Sequence, residues 1–250
     1  MITPDRRLQQ GPPLRRLAGL ALVAIALSPV PILAQDGHDH GEHDKSAASD
    51  ADSAEHPDRA VCRVCEVRDA AHGAESVAAH RSYHGTHYYF CSEGCAEAFD
   101  GFPDAYVAHP LPRPAPGATL TTLDGESLDV EAHEGPLLLV DFWATWCKPC
   151  VQAMPELARL QERHDGELRV IGVSIDEKGE EHVRKFLEER PAGYAVAIDS
   201  PTTPAWHAFA VAAIPAMFLV DGDGRIVGEW RGAVDMDEVS ARVAELLDES

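Results

Sequence analysis

Val140-Asp141-Phe142-Trp143-Ala144-Thr145-Trp146-Cys147-Lys148-Pro149-Cys150 is the stretch on which the reading turns. Pro136 to Trp143 is a continuous apolar run broken only by Asp141, which predicts a buried strand. From Pro149 to His164, Val151, Met154, Leu157, Ala158 and Leu160 fall on one helical side. The two cysteines therefore sit where a strand passes into a helix. Two thiols separated by two residues can close a small disulfide ring there, and a helix N-terminus favours negative charge. This predicts Cys147 as the exposed attacking thiol and Cys150 as the buried resolving one. Pro149 suits the first helical turn, and Lys148 adds positive charge. A Cys-x-x-Cys pair can also be half of a zinc site. The apolar strand before it argues against that.

Downstream, strand and helix patterns alternate. Leu168 to Ile175 reads as a second buried strand, Gly179 to Arg190 as a helix and Tyr194 to Ile198 as a short strand. A helix follows from Pro204 to Ala210. Met217 to Val220 and Arg225 to Trp230 flank Asp221-Gly222-Asp223-Gly224, a hairpin signal, and Asp235 to Leu247 closes with an apolar face. Upstream, Thr119 to Val130 has a hairpin look with Asp124-Gly125 at its turn. The fold class is α/β, a mixed sheet flanked by helices.

Further upstream lies Pro110-Leu111-Pro112-Arg113-Pro114-Ala115-Pro116. It predicts a semi-rigid spacer of roughly 20 Å, at ~3.1 Å per residue. Four of the six cysteines precede it, as Cys62-x-x-Cys65 and Cys91-x-x-x-Cys95. Tyr83 to Phe90 reads as a hairpin running into Cys91. Ser92 can cap a helix holding Cys95, Ala98 and Phe99, so this part is a small Cys-rich α+β domain. Four thiolates suit tetrahedral Zn²⁺ or Cu(I). Two disulfides stapling a small exported domain remain the alternative. His80, His84 and His87 are further candidate ligands.

Residues 35–57 contain no Phe, Trp, Tyr, Leu, Ile, Val or Met and are rich in Asp and Glu, which predicts a disordered linker. His38, His40 and His43 within it offer loose metal capture; the other reading is a solvated acidic linker. Before it, Arg6, Arg7, Arg15 and Arg16 precede an apolar stretch from Leu17 to Leu27, then Ser28-Pro29-Val30-Pro31 and Ile32-Leu33-Ala34. That is the order of a secretory signal over residues 1–34, with an uncleaved anchor as the alternative. Export to the periplasm places the cysteines in an oxidising compartment. Membrane contact is then expected only through an uncleaved signal. The resulting plan is 1–34 signal, 35–57 linker, 58–109 Cys-rich domain, 110–116 spacer and 117–250 redox domain. The 250 residues carry a formal net charge of −21, which excludes an extended nucleic-acid footprint.

The stretch from Val140 to Cys150 resembles the active-site strand and turn of the thioredoxin superfamily. The likeness runs from about Gly117 to the C-terminus and is nearest to exported TlpA-like and ResA-like reductases. That resemblance implies a thioredoxin-like fold with an extra strand–helix insert near Ser174 to Ile198. It implies that Asp141 is the buried acid that helps deprotonate Cys150. It also implies that Ile214-Pro215 is a cis bond facing the cysteines and exposing backbone to substrate peptide. ResA-like proteins often carry Glu three residues after the second cysteine, where this chain has Ala153. Tyr88-Tyr89-Phe90-Cys91-Ser92-Glu93-Gly94-Cys95, Phe99, Pro103 and Tyr106 resemble a YHS or TRASH-like heavy-metal module. Its front half departs from that pattern at Cys62-Arg63-Val64-Cys65-Glu66.

The expectation is an exported thiol–disulfide oxidoreductase that reduces protein disulfides through Cys147 and Cys150. It needs no organic cofactor, with Zn or Cu as candidate ions. Its partners would be a disulfide-containing or metal-binding exported protein and an upstream dithiol donor of unknown identity. The alternative is a metal handler whose redox domain keeps the Cys-rich site reduced.

Overall fold

The computed structural model describes residues 56–68, 72–232 and 234–249. The expected signal and nearly all of the acidic linker, with His38, His40 and His43, lie outside the described residues. Among the described residues no helix is long and apolar enough to cross a membrane.

The Cys-rich part runs β1 (Arg59–Val61), α1 (Arg63–Arg68), β2 (Ala74–Ser76), β3 (Ala79–Tyr83), β4 (Thr86–Phe90) and α2 (Glu93–Gly101), then a 3-10 turn at Pro103–Ala105. β1 pairs antiparallel with β2, and β3 with β4. The β3–β4 hairpin turns on His84 and Gly85, both at positive φ (49° and 77°), as a tight two-residue turn of this hand requires. The Ser92 side chain accepts the Cys95 backbone N–H at 3.2 Å and caps α2, as the sequence predicts. Val64, Val67, Phe90, Ala96, Phe99 and Tyr106 form the core of this part.

The C-terminal part continues with β5 (Arg113–Pro114), β6 (Thr119–Thr121), β7 (Ser127–Asp129), β8 (Leu137–Trp143), α3 (Lys148–Arg163) and β9 (Leu168–Ser174). It ends with α4 (Glu180–Glu189), β10 (Ala195–Ile198), α5 (Ala205–Ala208), β11 (Ala216–Asp221), β12 (Arg225–Arg231) and α6 (Met236–Asp248). The six-stranded sheet has the order β10-β9-β8-β11-β12-β5. β8, β9 and β10 are parallel, and β11, β12 and β5 join antiparallel. This is the mixed sheet the sequence predicts, with β10 and α4 as the insert.

All seven residues of β8 are buried because both faces of the sheet are covered. Leu138, Val140 and Phe142 pack with Phe209 and Phe218 on one face. Leu137 and Leu139 pack with Leu157 and Leu160 of α3 and with Val239 and Val243 of α6 on the other. Alternation along a strand puts Asp141 and Trp143 on that second face, beneath α3.

The expected spacer behaves differently from a free one. Arg113–Pro114 form the outermost strand of the sheet, paired with β12 through Arg225 and Ile226. Proline is tolerated there because an edge strand does not need every N–H. Arg113 reaches Glu229 at 2.5 Å, and Glu229 also takes Arg231 at 2.5 Å. The two parts also pack on each other. Ala210, Ala212 and Ala213 lie against the Cys-rich core. Phe102 stacks on His207 with ring centroids 5.0 Å apart. At Gly232 an added Cβ would stand 2.5 Å from the Val67 carbonyl oxygen, so only glycine permits the approach of β12's end to α1.

Candidate redox centre and thiol cluster

Cys147 and Cys150 are joined as a disulfide, with Cα atoms 5.3 Å apart. Cys147 is the N-cap of α3, and its sulfur accepts the Cys150 backbone N–H at 3.3 Å. A sulfur in that position faces unpaired amides and the positive end of the helix dipole, which stabilises a thiolate. Pro149 lies in the first turn, where a missing N–H costs nothing.

One expectation needs correction. Cys147 is not an exposed thiol in this oxidised form: it is 4% exposed and Cys150 is 0% exposed. Both are enclosed by Trp143, Ala144, Met154 and Ile214. What stands out into solvent is the neighbouring Trp146, at 63%.

The loop before Cys147 is tied down by residues that the sequence reading did not single out. The Thr145 backbone N–H donates to Asp176 Oδ2 at 2.6 Å, and Thr145 Oγ1 lies 3.1 Å from His182 Nε2. Asp176 and His182 come from the β9–α4 region, so the insert braces the active-site turn. No local motif marks them, because the contact spans more than thirty residues.

Asp141 is fully buried. The Tyr194 hydroxyl donates to its Oδ2 at 3.4 Å, and Oδ1 has no hydrogen-bond partner among the described residues. Burial pushes the Asp141 carboxyl up to about 7, only partly opposed by the Tyr194 hydrogen bond. Tyr194 is itself held well above the usual phenol range, by burial first and by the Asp141 charge second. Gly172 lies beside Asp141 in the β8–β9 register. An added Cβ there would meet Trp143 Nε1 at 2.9 Å and Tyr194 Cε2 at 3.0 Å, so glycine keeps room for both rings. Ile214–Pro215 is cis, and Ile214 packs against the cluster that contains Cys147 and Cys150. Ala153 is an apolar neighbour of the α3–α6 core.

The second constellation lies in the Cys-rich part. Cys62, Cys65, Cys91 and Cys95 all have free thiols, and their sulfurs lie within 4.8 Å of one another. Cys65 Sγ is 3.6 Å from Cys91 Sγ and 3.8 Å from Cys95 Sγ, and Cys91 and Cys95 are 3.8 Å apart. A Zn–S bond of about 2.3 Å gives tetrahedral S–S edges of about 3.8 Å. The donor set therefore fits a tetrahedral thiolate-loving ion, whereas a disulfide needs about 2.0 Å. Burial acts against the Cys62 thiolate, yet the backbone amides of Cys91 and Cys65 and their thiols hold its pKa down at about 7. Burial raises Cys65 strongly and takes Cys91 up to about 11. No sequence signal singled out α1, the short helix that holds Cys65 between the buried Val64 and Val67. His80, His84 and His87 sit on the β3–β4 hairpin and belong to no group of three or more converging ligands among the described residues.

A Cys-x-x-Cys disulfide at the start of a helix, on a mixed sheet with a buried acid beneath, defines a thiol–disulfide oxidoreductase. Residues 111–246 match the Redoxin family, and the chain belongs to it. Residues 77–110 match the YHS domain, a span that contains Cys91 and Cys95 but not Cys62 or Cys65. The chain is 32% identical over 131 residues to thioredoxin-like protein YneN of Bacillus subtilis (strain 168), covering 52% of this chain and 76% of that one. It is 31% identical over 135 residues to thiol:disulfide interchange protein HelX of Rhodobacter capsulatus, covering 53% and 74%. Among solved structures, one assigned as a thiol:disulfide interchange protein DsbE from Chlorobium tepidum superposes with a TM-score of 0.51 at 26% identity. It spans 56% of this chain and 99% of that one.

Proposed function

We propose that this oxidoreductase is exported and reduces disulfides in exported proteins. The observation that carries the reading is the Cys147 sulfur capping α3, with an acid of pKa about 7 on the sheet face beneath that helix. In the reduced enzyme the Cys147 thiolate attacks a substrate disulfide. A mixed disulfide forms and one substrate sulfur leaves as thiolate. The Asp141 carboxylate takes the proton of the Cys150 thiol. The Cys150 thiolate then attacks the Cys147 sulfur, closing the Cys147–Cys150 disulfide and releasing the second substrate thiolate. An external dithiol restores the enzyme. Ile214 and Pro215 supply backbone for the substrate peptide to lie along.

Insulin reduction with dithiothreitol as donor, together with fractionation of the producing cells, tests this. The reading expects turnover that is abolished in Cys147→Ser, and a processed form in the exported fraction. Full activity in Cys147→Ser, or retention inside the cell, would overturn the corresponding half.

A second reading is favoured by one adjacency. Ala212 and Ala213 lie against the thiol cluster's core, while the next residue, Ile214, lies against Cys147 and Cys150. In this reading Cys62, Cys65, Cys91 and Cys95 hold Zn²⁺ or Cu(I), and the ion locks β4, α1 and α2 together. The redox centre then keeps those thiols reduced, since a disulfide cannot bind the ion. It predicts that Cys147→Ser protein accumulates oxidised Cys91 and Cys95 in an oxidising medium. Equal thiol counts in variant and wild type would contradict it.

A further inference from the structure

The four-cysteine cluster has a neighbour. His72, Glu75 and Cys91 also bring one ligand atom each within 4.8 Å of one another. His72 precedes β2, Glu75 lies in its middle, and Cys91 follows β4. His72 Nε2 is 3.2 Å from Glu75 Oε2, close to the N–O edge of about 3.4 Å around a tetrahedral Zn²⁺. That nitrogen is buried and has no hydrogen-bond partner among the described residues; its contact with Glu75 is an ion pair only when the imidazole is protonated, and the neutral ring offers Nε2 as a ligand. The Glu75 side chain is half-exposed, at 50% against 23% for His72, so solvent reaches the group from the Glu75 side.

One imidazole, one carboxylate and one thiolate form a borderline donor set suited to a divalent ion such as Zn²⁺. Three ligands with one side open bind more weakly and exchange faster than four thiolates. Cys91 is common to both groups; Glu75 is the exposed member of the second, whereas Cys62 of the first is 1% exposed.

We propose that His72, Glu75 and Cys91 form the entry site through which a divalent ion reaches Cys62, Cys65, Cys91 and Cys95. The proposal rests on the reading of those four thiols as a metal site. The ion first binds His72 Nε2, a Glu75 oxygen, one water and the Cys91 sulfur, whose proton leaves to solvent. It then moves inward as the thiolates of Cys62, Cys65 and Cys95 replace the imidazole, the carboxylate and the water. Any protons still on those thiols leave to solvent, and the bond to Cys91 is kept throughout. No electrons move. Sharing one ligand lets the ion change sites without passing free through solution.

The test follows Co²⁺ loading of the full chain, reduced and kept anaerobic, by the growth of its thiolate-to-cobalt charge-transfer absorption. The proposal expects His72→Ala and Glu75→Gln to slow loading by about tenfold or more while the final spectrum and stoichiometry match wild type. Glu75→Gln, nearly isosteric and half-exposed, carries the test if His72→Ala does not fold. Unchanged loading rates in the variants would overturn the entry site and leave the four-thiolate site standing. A reduced final stoichiometry would also overturn it, because His72 or Glu75 would then belong to the resident site. Absence of the charge-transfer absorption in wild type would overturn the four-thiolate reading itself, and the entry site with it.

Discussion

The Tyr194 hydroxyl donates to Asp141 Oδ2 at 3.4 Å while the buried Oδ1 has no partner among the described residues. One hydrogen bond is too little to hold a buried carboxylate charged, so the acid is poised near neutrality, where it can accept and return a proton.

Asp141→Asn therefore has opposite effects on activity and stability. In the unfolded chain Asp titrates near 4, and in the folded protein at about 7. Between those values the folded state binds more protons, so stability contributed by the neutral acid is present at low pH and lost as pH rises through about 7. The substitution should raise stability at pH 8 by up to about 4 kcal/mol and change it little at pH 4. Turnover should fall by roughly 10²-fold or more, with the mixed disulfide accumulating. Urea unfolding at the two pH values and quenched gels check both. A variant that is destabilised at pH 8 would contradict the assignment.

Tyr194→Phe removes the one hydrogen bond that the carboxylate accepts among the described residues. The Asp141 pKa should rise further, moving the alkaline-going limb of the rate profile to higher pH. The measurement is turnover against pH. An unchanged midpoint would show that Tyr194 does not hold the acid.

Gly172→Ala should be damaging although it adds one methyl group. The new Cβ would stand 2.9 Å from Trp143 Nε1 and 3.0 Å from Tyr194 Cε2. Overpacking of this kind costs about 1–3 kcal/mol, and it displaces the tyrosine that contacts Asp141. The expected outcome is a lower urea midpoint together with a shifted pH profile.

Arg231→Ala should destabilise by about 3–5 kcal/mol. Arg231 is 8% exposed on its side chain, pairs with Glu229 and donates to the Phe209 and Ala210 carbonyls. Burial would raise Glu229, but Arg231 and Arg113 hold it below the ordinary carboxylate range. Removing Arg231 leaves a nearly buried acid with Arg113 as its remaining cation and loosens the segment that meets the Cys-rich core. Replacing Arg231 and Glu229 together with apolar residues should cost less than Arg231→Ala alone, measured as a double-mutant cycle.

Much of the redox half is legible in the sequence because its signals are local. The apolar run at 137–143, the helical spacing after Pro149 and the Asp-Gly turns each fix one element. Cys150 and Asp141 are buried and the Ile214–Pro215 bond is cis, as the sequence predicts. What the sequence hides is set by distant contacts. Pro114 reads as spacer because prolines signal extended chain, yet Arg113 has a buried acid to meet in β12. Cys147 reads as exposed from its position before a helix, but Trp143, Met154 and Ile214 close over it. Tyr194, Asp176 and His72 carry no motif, and only folding brings them to Asp141, Thr145 and Cys91.

The central claim is that exchange runs through Cys147 with Cys150 as the resolving thiol, and trapping tests it most directly. Reduced Cys150→Ser protein is mixed with a disulfide peptide, quenched with acid and mapped by mass spectrometry without reduction. The account predicts one peptide held on Cys147, stable because the resolving thiol is gone, and none on Cys62, Cys65, Cys91 or Cys95. Adducts on the cluster cysteines with Cys147 unmodified would contradict it.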